Sequence, residues 1–500
     1  MSTDARFDEI FHYYQFITYL LAKEEFAYPS PNYGQFFTRG RVQEAWAQTR
    51  AAIEDGRSPA DLSLYVHLPF CECGCLYCMS GSIRVSRRGR YLDAYLDTLV
   101  DEMDCYRGTM GDVPVLSVYV GGGTPSLLDT RQIRRLLGAL RARYALDGES
   151  RVIFEASPFT LSKSKIDALV DEGVHELALG VQSFDQGVLD ANRRPQKVDS
   201  ATRLIRRALA SPLPSVTVDV MVGLPQQSRQ SALASVAEAI ELGVDGVMLN
   251  EFLPLSYIRY CREGGSYTTQ QHLDKKAVVA EARKLLKRAG YRATVSGYRR
   301  EWDRGDDRRA YKTQEAANLL GFGFGAYSHA HGTLKYQLLY PFMDFAGYMD
   351  GASWMSEDSG ISFESMFNEK LLAKYQTFTA QLDDDPFTYV GLELDPDREM
   401  HVYAYSHLYH LRLGAFERRF GAAFARVFRN PLLVLASQKI VGLRDDRLVF
   451  LSDDPVAKRT ARTFFVDKPY IEEVLRVNSE TYDQDTDYAS LIVALARSIS

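Results

Sequence analysis

The alternation of short apolar runs with helical segments constrains the fold of this chain more than any other feature. Between residues 62 and 252, runs rich in β-branched and aromatic residues alternate with segments whose apolar residues recur at helical spacing. Strands joined by helical crossovers lie parallel in one sheet. The pattern therefore predicts an α/β fold, and six strand-helix units favour a partial (β/α)6 barrel over an open doubly wound sheet. The predicted strands are Leu62–Phe70, Leu116–Val120, Arg151–Ala156, Glu176–Val181, Val216–Val222 and Gly246–Phe252.

The regions on either side of this alternation have a different pattern. We predict three domains: a helical N-terminal arm over residues 1–60, the barrel with a C-terminal extension over 61–365, and a mainly helical domain over 366–500. In the last domain, two apolar runs flank the polar turn Asp445–Asp446, which is typical of a β-hairpin. Helices followed by a hairpin resemble a winged helix. The helices predicted outside the barrel are Phe7–Lys23, Val42–Asp55, Leu273–Ala289, Phe367–Phe378 and Tyr403–Phe420.

Four of the six cysteines lie within eight residues, directly after the first predicted strand. Cys71, Cys75 and Cys78 have the spacing Cys-x-x-x-Cys-x-x-Cys, which offers three thiolates where a closed 4Fe–4S site needs four. One iron would then lack a protein ligand, and an open coordination position is where a cosubstrate can bind. The fourth cysteine, Cys73, is an alternative ligand.

Three other interpretations of the cysteines stay open. A disulfide is one, although disulfides are rare in reducing compartments. A structural zinc site is another, but it normally needs a second pair of ligands, and Met79 to Val120 contains only Cys105 and no histidine. Buried, inert cysteines are the third, and this density of cysteines is hard to explain that way.

Polar or glycine-rich groups follow the later strands as well. Gly121–Pro125 follows the second strand, and Glu155, Gln182 and Asp219 lie near the ends of the third, fourth and fifth. Each alone is typical of a turn, a cap or a surface group. Together they predict one site, because the C-terminal ends of parallel strands meet at one face of a barrel. The glycines at alternate positions in 321–325 lack the dinucleotide-binding spacing and predict close backbone contact with a ligand.

Charge and hydropathy exclude some classes of partner. The net charge of −6 and the pI near 5.9 do not favour general binding to nucleic acid. The sequence has neither an apolar run of about 18 residues nor a signal peptide, so we expect a cytoplasmic protein with no membrane partner. The arginine-rich segment 298–309 is either a solvated loop or a site for substrate carboxylates.

The cysteine motif followed by Gly121–Pro125 resembles the radical SAM enzymes, in particular the branch typified by oxygen-independent coproporphyrinogen III dehydrogenase. The resemblance extends over roughly residues 60 to 450 and includes Gly180–Phe184 and Gly223–Pro225. It implies a 4Fe–4S cluster held by Cys71, Cys75 and Cys78. S-adenosylmethionine would bind the open iron, and its reductive cleavage would give a radical that removes hydrogen from a small-molecule substrate.

The resemblance also implies further site residues and partners. Two molecules of S-adenosylmethionine are expected, together with a reducing partner such as flavodoxin or ferredoxin. Candidates for the second molecule or the substrate are Gln314, Gly321 and Gly323. The candidates for binding S-adenosylmethionine are Tyr65, Tyr77, Gly122, Gly123, Thr124, Glu155, Gln182, Arg194 and Asp219.

Two departures from the family pattern bear on the reaction. The coproporphyrinogen enzymes have a further cysteine where this chain has Ser80, and the segment between Gly297 and Gln314 is shorter and richer in arginine. On this basis we predict the transfer of a methyl or methylene group to an sp2 carbon of a specialised metabolite, as in class C radical SAM methyltransferases and cyclopropanating enzymes. The alternatives are coproporphyrinogen dehydrogenation by oxidative decarboxylation and a non-enzymatic haem chaperone. The residue that quenches the final radical cannot be identified from the sequence.

Overall fold

The computed structural model describes eleven stretches of the chain. These are residues 10–11, 14, 35–78, 83–84, 91–252, 259–293, 297–300, 318–338, 389–408, 411–452 and 455–472.

The strands in these stretches, in chain order, are β1 (Gln35–Phe37), β2 (Leu62–Leu68), β3 (Phe70–Cys71), β4 (Ile83–Arg84), β5 (Val115–Gly122), β6 (Arg151–Ala156), β7 (Glu176–Gln182), β8 (Ser215–Val222), β9 (Gly246–Glu251), β10 (Tyr291–Ala293), β11 (Tyr298–Arg300), β12 (Asn318–Phe322), β13 (Tyr327–Ala330), β14 (Leu334–Leu338), β15 (Tyr389–Glu393), β16 (Val441–Arg444) and β17 (Arg447–Phe450).

The helices, numbered in the same way, are α1 (Arg39–Glu54), α2 (Tyr91–Met110), α3 (Thr130–Arg143), α4 (Lys163–Asp171), α5 (Gln186–Ala191), α6 (Val198–Leu209), α7 (Arg229–Leu242), α8 (Arg259–Arg262), α9 (Thr269–Arg288), α10 (Pro396–His407), α11 (Leu413–Phe420), α12 (Phe424–Val427), α13 (Arg429–Ser437) and α14 (Pro455–Thr463).

Parallel strands form the centre of the main sheet, in the order β12-β2-β5-β6-β7-β8-β9. Antiparallel strands extend this sheet on both sides, with β13, β14, β15 and β1 beyond β12, and β11 and β10 beyond β9. Helices cover the outer face, and strand and helix side chains together form one large apolar core. The predicted α/β fold with a partial barrel is therefore confirmed.

Local sequence signals explain where the outer helices begin and end. Asp129 and Gln132 form a reciprocal capping box at the start of α3, which satisfies backbone N–H groups that have no partner within the helix. Ser228 caps the amino end of α7, where its hydroxyl accepts a hydrogen bond from the N–H of Ser231. Gly243 ends α7 in the left-handed conformation. These helices return the chain to the start of the next strand, so the polar loops that follow the parallel strands lie at one end of the barrel.

The region after β15 is mainly helical, as predicted, and has its own apolar core. It differs from the prediction in one respect, because Tyr403–Phe420 is not one helix but the end of α10 and the whole of α11. Between the two helices, Arg412 makes an antiparallel bridge to Arg447, and the N–H of Leu413 donates to the carbonyl of Asp446. These bonds to the hairpin use backbone groups that a continuous helix would have paired internally. Helices, a bridging residue and the hairpin β16–β17 together have a winged-helix-like arrangement.

Several predictions lie wholly or largely outside the described residues. They include the Phe7–Lys23 helix apart from residues 10, 11 and 14, the Phe367–Phe378 helix, Ser80, Gln314 and most of the arginine-rich segment 298–309. The three domain boundaries stay a prediction. β1 and β15, which fall within the predicted 1–60 and 366–500 domains, pair with each other in the main sheet. Within the described part of the chain, no helix is both long and apolar enough to cross a membrane.

Candidate active site at the carboxyl ends of the strands

The segment Cys71–Cys78, called here the cysteine loop, follows β2 and passes over the carboxyl end of the barrel. The Sγ atom of Cys73 lies 3.5 Å from that of Cys71 and 3.7 Å from that of Cys75. All six cysteines are free thiols, so the disulfide interpretation is not supported. Cys71 and Cys75 are buried, while Cys78 is partly buried in the same apolar cluster as Tyr77 and Phe252.

The three neighbouring thiols have different proton affinities. Hydrogen bonding to Cys73 lowers the pKa of Cys71 to about 6, and the same kind of bond lowers the pKa of Cys75 to about 6. Hydrogen bonds to Cys71 and Cys75 raise the pKa of Cys73. Cys71 and Cys75 therefore lose their protons more readily than an isolated cysteine does. Thiolates are the form that binds iron, so this donor set fits a 4Fe–4S cluster.

A mononuclear metal site is a poorer fit. Among the described residues, no three His, Cys, Asp or Glu side chains are placed to hold one metal ion. In an iron–sulfur cluster each thiolate bonds to its own iron, so the sulfurs need not converge on one point. This geometry argues against the zinc interpretation.

The glycine-rich turn after β5 packs directly against the cysteine loop. Gly122 has a positive φ of 112°, and a Cβ atom at Gly123 would lie 2.4 Å from the carbonyl oxygen of Phe70. A side chain at either position would push the turn away from the start of the loop. The hydroxyl of the next residue, Thr124, lies 3.2 Å from the sulfur of Cys71. The structure thus brings Gly122, Gly123 and Thr124 to the cysteines.

Two carboxylates at this end of the barrel have no ion-pair partner among the residues that the structure describes. Tyr119 and the N–H of Gly122 donate hydrogen bonds to Glu155, and burial raises the pKa of this residue. No described residue donates a hydrogen bond to the carboxylate of Asp219. Burial, with a further contribution from the Glu155 and Glu176 carboxylates, raises the pKa of Asp219 to about 8. A cation bound next to these groups would lower both pKa values.

Gln182 ends β7 in a strained backbone conformation. Its φ is 69°, in the left-handed region that is uncommon for residues other than glycine, and the register of β7 against β8 shifts between Gly180 and Gln182. The buried Oε1 atom of Gln182 has no hydrogen-bond partner within the described residues. Strain and an unsatisfied buried acceptor together indicate a ligand-binding position.

Arg194 connects the ends of two strands, β6 and β7, to the cysteine loop. Its guanidinium donates to the Gly180 carbonyl and to the Ser157 hydroxyl at 3.3 Å. It also donates to the Tyr77 hydroxyl at 3.0 Å and lies 3.9 Å from the sulfur of Cys75. Arg194 is 8% exposed, so it presents a buried positive charge next to the thiolates.

Tyr65 lies on β2 at the same end of the barrel. Its hydroxyl is 2.6 Å from Nδ1 of His67, and burial lowers the pKa of His67 to about 4. A neutral imidazole can accept a hydrogen bond from the Tyr65 hydroxyl in this contact.

Gly321 and Gly323 are needed for internal packing. A Cβ atom at Gly321 would lie 2.3 Å from the carbonyl oxygen of Tyr327 on the neighbouring strand β13. Gly323 has a φ of 92°, and its N–H donates to the buried Glu102 at 2.8 Å. Packing thus accounts for both glycines, and their predicted contact with a ligand stays a prediction.

Comparison with known proteins identifies the chemistry of this site. Residues 65–239 match the Radical SAM superfamily. The chain contains a radical SAM domain. The cofactors predicted for it, a 4Fe–4S cluster and S-adenosylmethionine, are confirmed at the level of this superfamily, and the chain is a radical SAM enzyme.

The curated relatives that this chain resembles include coproporphyrinogen III oxidases and heme chaperones. The chain is 28% identical to the oxygen-independent coproporphyrinogen III oxidase of Salmonella typhimurium over 324 residues, which are 61% of this chain and 69% of the relative. It is 34% identical to the heme chaperone HemW of Escherichia coli over 181 residues, which are 36% of this chain and 48% of the relative. The solved structure of coproporphyrinogen III oxidase from Escherichia coli shares the fold, with a TM-score of 0.67 and 22% identity over 87% of this chain and 94% of that one.

These relatives overturn one prediction. Transfer of a methyl or methylene group was predicted from Ser80 and the short segment before Gln314. This prediction is wrong, because relatives from several bacteria that match this chain over 289 to 324 residues are named coproporphyrinogen III oxidases. Ser80 and most of the segment between Gly297 and Gln314 lie outside the described residues. A difference at one position after the cysteine loop weighs less than similarity over 324 aligned residues.

Some residues at the site were not predicted from the sequence. Tyr119 binds Glu155, Ser157 binds Arg194, and Asn192 binds the backbone of the cysteine loop. Asn192 could have been noticed because it directly precedes Arg193 and Arg194 at the end of a short helix. Tyr119 and Ser157 carry no comparable signal, since their partners are distant in the sequence.

Proposed function

We propose that this radical SAM enzyme is an oxygen-independent coproporphyrinogen III oxidase that acts by oxidative decarboxylation. The observation that carries the proposal is the extent of the similarity. The family match spans residues 65–239, whereas the similarity to the oxidase extends over 324 residues and therefore beyond the radical SAM domain. Similarity that reaches past the shared domain supports a shared substrate as well as shared radical chemistry.

In this proposal Cys71, Cys75 and Cys78 hold the cluster. The low pKa values of Cys71 and Cys75, about 6 each, support their role as thiolate ligands. When bound, the cluster and S-adenosylmethionine supply the one-electron chemistry that starts hydrogen abstraction. Cys73 acts as the proton donor of the unloaded loop and is not a ligand.

The residues around the cysteine loop bind S-adenosylmethionine. Asp219 and Glu155 are suited to its ammonium group and ribose hydroxyls, because both are carboxylates that form no ion pair with a described residue. Arg194 is suited to its carboxylate, and the unsatisfied Gln182 Oε1 accepts a hydrogen bond from the ligand. The turn beneath S-adenosylmethionine consists of Gly122, Gly123 and Thr124. The remaining side chains that line this binding site are those of Tyr65 and Tyr77.

The remaining assignments rest on the resemblance alone. They are a second S-adenosylmethionine near Gln314, Gly321 and Gly323, a flavodoxin or ferredoxin as reductant, and a cytoplasmic location. No residue is assigned to quench the final radical.

An anaerobic assay tests the reaction. The reconstituted enzyme is reduced with dithionite and incubated with S-adenosylmethionine and coproporphyrinogen III, and products are analysed by mass spectrometry. We expect 5′-deoxyadenosine together with a tetrapyrrole that has lost carbon dioxide. Production of 5′-deoxyadenosine without any decarboxylated tetrapyrrole would reject coproporphyrinogen III as the substrate.

Cysteine variants test the ligand assignment. Cys71→Ala, Cys75→Ala and Cys78→Ala should each lose most iron after reconstitution and stop cleaving S-adenosylmethionine. Cys73→Ala is the matched control in the same loop and should keep both. If Cys73→Ala loses iron and one of the other three keeps it, Cys73 is a ligand.

Haem binding is the second candidate function, and the 34% identity with a heme chaperone favours testing it. That similarity covers 181 residues, or 36% of this chain, which is close to the length of the radical SAM match over residues 65–239. Stoichiometric haem binding without formation of 5′-deoxyadenosine would support the chaperone function instead of the oxidase.

A further inference from the structure

The cysteine loop is held by backbone hydrogen bonds on both sides. The N–H of Leu76 donates to the carbonyl of Asn192 at 3.2 Å, and the N–H of Tyr260 donates to the carbonyl of Leu76 at 3.0 Å. Leu76 lies between Cys75 and Cys78, so these bonds fix the part of the loop that carries two of the three proposed ligands. One bond comes from the end of α5 and the other from α8.

Asn192 connects this loop to two other segments. Its side-chain amide donates to the carbonyl of Val188 in α5 at 2.8 Å and to the carbonyl of Pro225, after β8, at 2.9 Å. The side chain is fully buried. Its backbone carbonyl and its amide nitrogen thus join the cysteine loop, α5 and the Gly223–Pro225 turn at one point.

The position of Asn192 has an energetic cost. Its Oδ1 atom is buried and has no hydrogen-bond partner within the described residues. A buried acceptor without a partner is unfavourable, and an apolar residue would avoid this cost. The two amide donor bonds are therefore the reason for an asparagine here.

The chain after Asn192 extends the same support. Arg193 has a φ of 54°, which reverses the chain so that Arg194 reaches Cys75 and Tyr77. The guanidinium of Arg193 makes two hydrogen bonds of 2.8 and 2.7 Å to Glu263, just beyond α8. The ends of α5 and α8, which hold Leu76 from opposite sides, are thus tied to each other.

We infer that Asn192 is a positioning residue that keeps the Cys75–Cys78 segment in the conformation that retains the cluster. The inference rests on the proposed function, because it takes the cysteine loop as the site of the cluster. Asn192 contacts neither substrate nor iron in this role and acts through the peptide group of Leu76. Residues that support metal ligands in this way typically change metal affinity by ~10- to 100-fold when mutated.

Asn318 provides a matched control for Asn192. It is also fully buried, and its side-chain amide donates to two backbone carbonyls, those of Pro59 at 3.1 Å and Asp61 at 3.0 Å. It lies opposite Leu62 at the amino end of the barrel, whereas Cys71 follows the carboxyl end of the same strand. Alanine at either position removes two amide donor bonds, and at Asn318 it also removes the bond that the His331 N–H donates to Oδ1 at 3.2 Å. The control variant therefore loses at least as many bonds, but only Asn192 supports the cysteine loop.

Two measurements compare Asn192→Ala with Asn318→Ala. In the unloaded protein, hydrogen exchange at the Leu76 amide should be ~10-fold or more faster in Asn192→Ala than in Asn318→Ala. In the reconstituted protein, iron loss to a chelator should be ~10-fold or more faster in Asn192→Ala, with Asn318→Ala within ~2-fold of the wild type. Equal rates in the two variants, in either measurement, would overturn the inference.

If an alanine variant does not fold, the outer ion pair provides the test. Glu263→Gln should accelerate iron loss by ~2- to 3-fold, while Asp104→Asn, which removes a similar bidentate pair with Arg143 on the outer helices, should not. Equal rates would again overturn the inference. The Cys71→Ala variant separates the two proposals, because its loss of iron upholds the ligand assignment whatever the Asn192 variant does.

Discussion

The two ends of the barrel differ in whether their carboxylates form ion pairs within the described protein. At the amino end, Glu176 on β7 receives two 2.7 Å hydrogen bonds from the guanidinium of Arg299 on β11, and a third bond from Thr217. Arg299 also donates to Ser215 at 2.9 Å. At the carboxyl end, neither Glu155 nor Asp219 forms an ion pair with a described residue. Both ends also contain a buried arginine, but only Arg299 at the amino end forms an ion pair with one of these carboxylates, whereas Arg194 at the carboxyl end contacts Tyr77 and the cysteine loop.

This difference separates a structural charge from a functional one. A buried charge that serves the fold is neutralised within the protein, because its desolvation cost must be offset in every molecule. A carboxylate that serves a ligand can be left without a counter-charge, because a cationic ligand supplies it on binding. S-adenosylmethionine carries two positive charges, a sulfonium and an ammonium. The carboxyl end of the barrel therefore has the electrostatics expected for this cosubstrate.

Breaking the pair at the amino end should have the largest effect. Arg299→Met leaves Glu176 buried without a counter-charge, and we expect the free energy of unfolding to fall by ~3–5 kcal/mol, measured by chemical or thermal denaturation. The control is Arg207→Met, which removes an exposed pair with Asp167 and should cost less than ~1 kcal/mol. Equal losses in the two variants would mean that burial does not distinguish these pairs.

Removing the Asp219 charge should affect the ligand more than the fold. Asp219→Asn keeps the size of the side chain, and we expect the affinity for S-adenosylmethionine to fall by ~10- to 100-fold, since a hydrogen bond to a charged group contributes ~1.5–3 kcal/mol. Isothermal titration of the reconstituted protein measures the change. Asp167→Asn, on the outer surface, should bind S-adenosylmethionine as the wild type does. Unchanged affinity in Asp219→Asn would contradict the assignment.

The stability of the ligand-free protein should depend on pH through Asp219. Its pKa is about 8 in the folded chain, and an aspartate in an unfolded chain has a pKa of ~3.9. Between these values the folded state holds a proton that the unfolded state lacks. Stability contributed by this group is therefore fully present below pH ~4 and decreases as the pH rises toward 8, by at most ~1.4 kcal/mol per pH unit.

Asp219→Asn isolates this effect from all other titrations. The variant should be as stable as the wild type near pH 4 and progressively more stable than the wild type toward pH 8, as measured by the difference in Tm. Saturating S-adenosylmethionine should reduce the difference at pH 8. Parallel curves for the two proteins would show that the pKa of Asp219 is not raised.

The smallest effect is expected from Tyr119. Its hydroxyl donates to Glu155, and Tyr119→Phe removes this bond without opening a cavity. We expect affinity for S-adenosylmethionine to fall by ~2- to 10-fold, in line with the ~0.5–1.5 kcal/mol of an ordinary hydrogen bond. Tyr144→Phe, which removes a bond to the Met103 carbonyl in the core, is the control and should leave the affinity unchanged.

The sequence by itself determined the barrel and the position of the cysteines in it. Strands alternate with helices because local apolar periodicity is a property of neighbouring residues, and the strand Arg151–Ala156 and the helix Arg229–Leu242 have the bounds that were predicted. The polar groups at strand ends could be predicted to converge for the same reason. Parallel strands with helical crossovers bring their carboxyl ends to one face. The positions of Glu155, Gln182 and Asp219 could therefore be predicted without knowledge of long-range contacts.

Only the tertiary structure decided which polar side chains have a hydrogen-bond or ion-pair partner within the described protein and which do not. The counter-charge of Glu176 lies 123 residues away at Arg299, and Asn192 supports Leu76 across 116 residues, so no local pattern reveals either contact. The break between α10 and α11 likewise depends on a bridge to the distant hairpin. Periodicity fixes which face of an element is buried. The pairing of charges and hydrogen bonds on that face depends on which elements meet there, and folding alone brings them together.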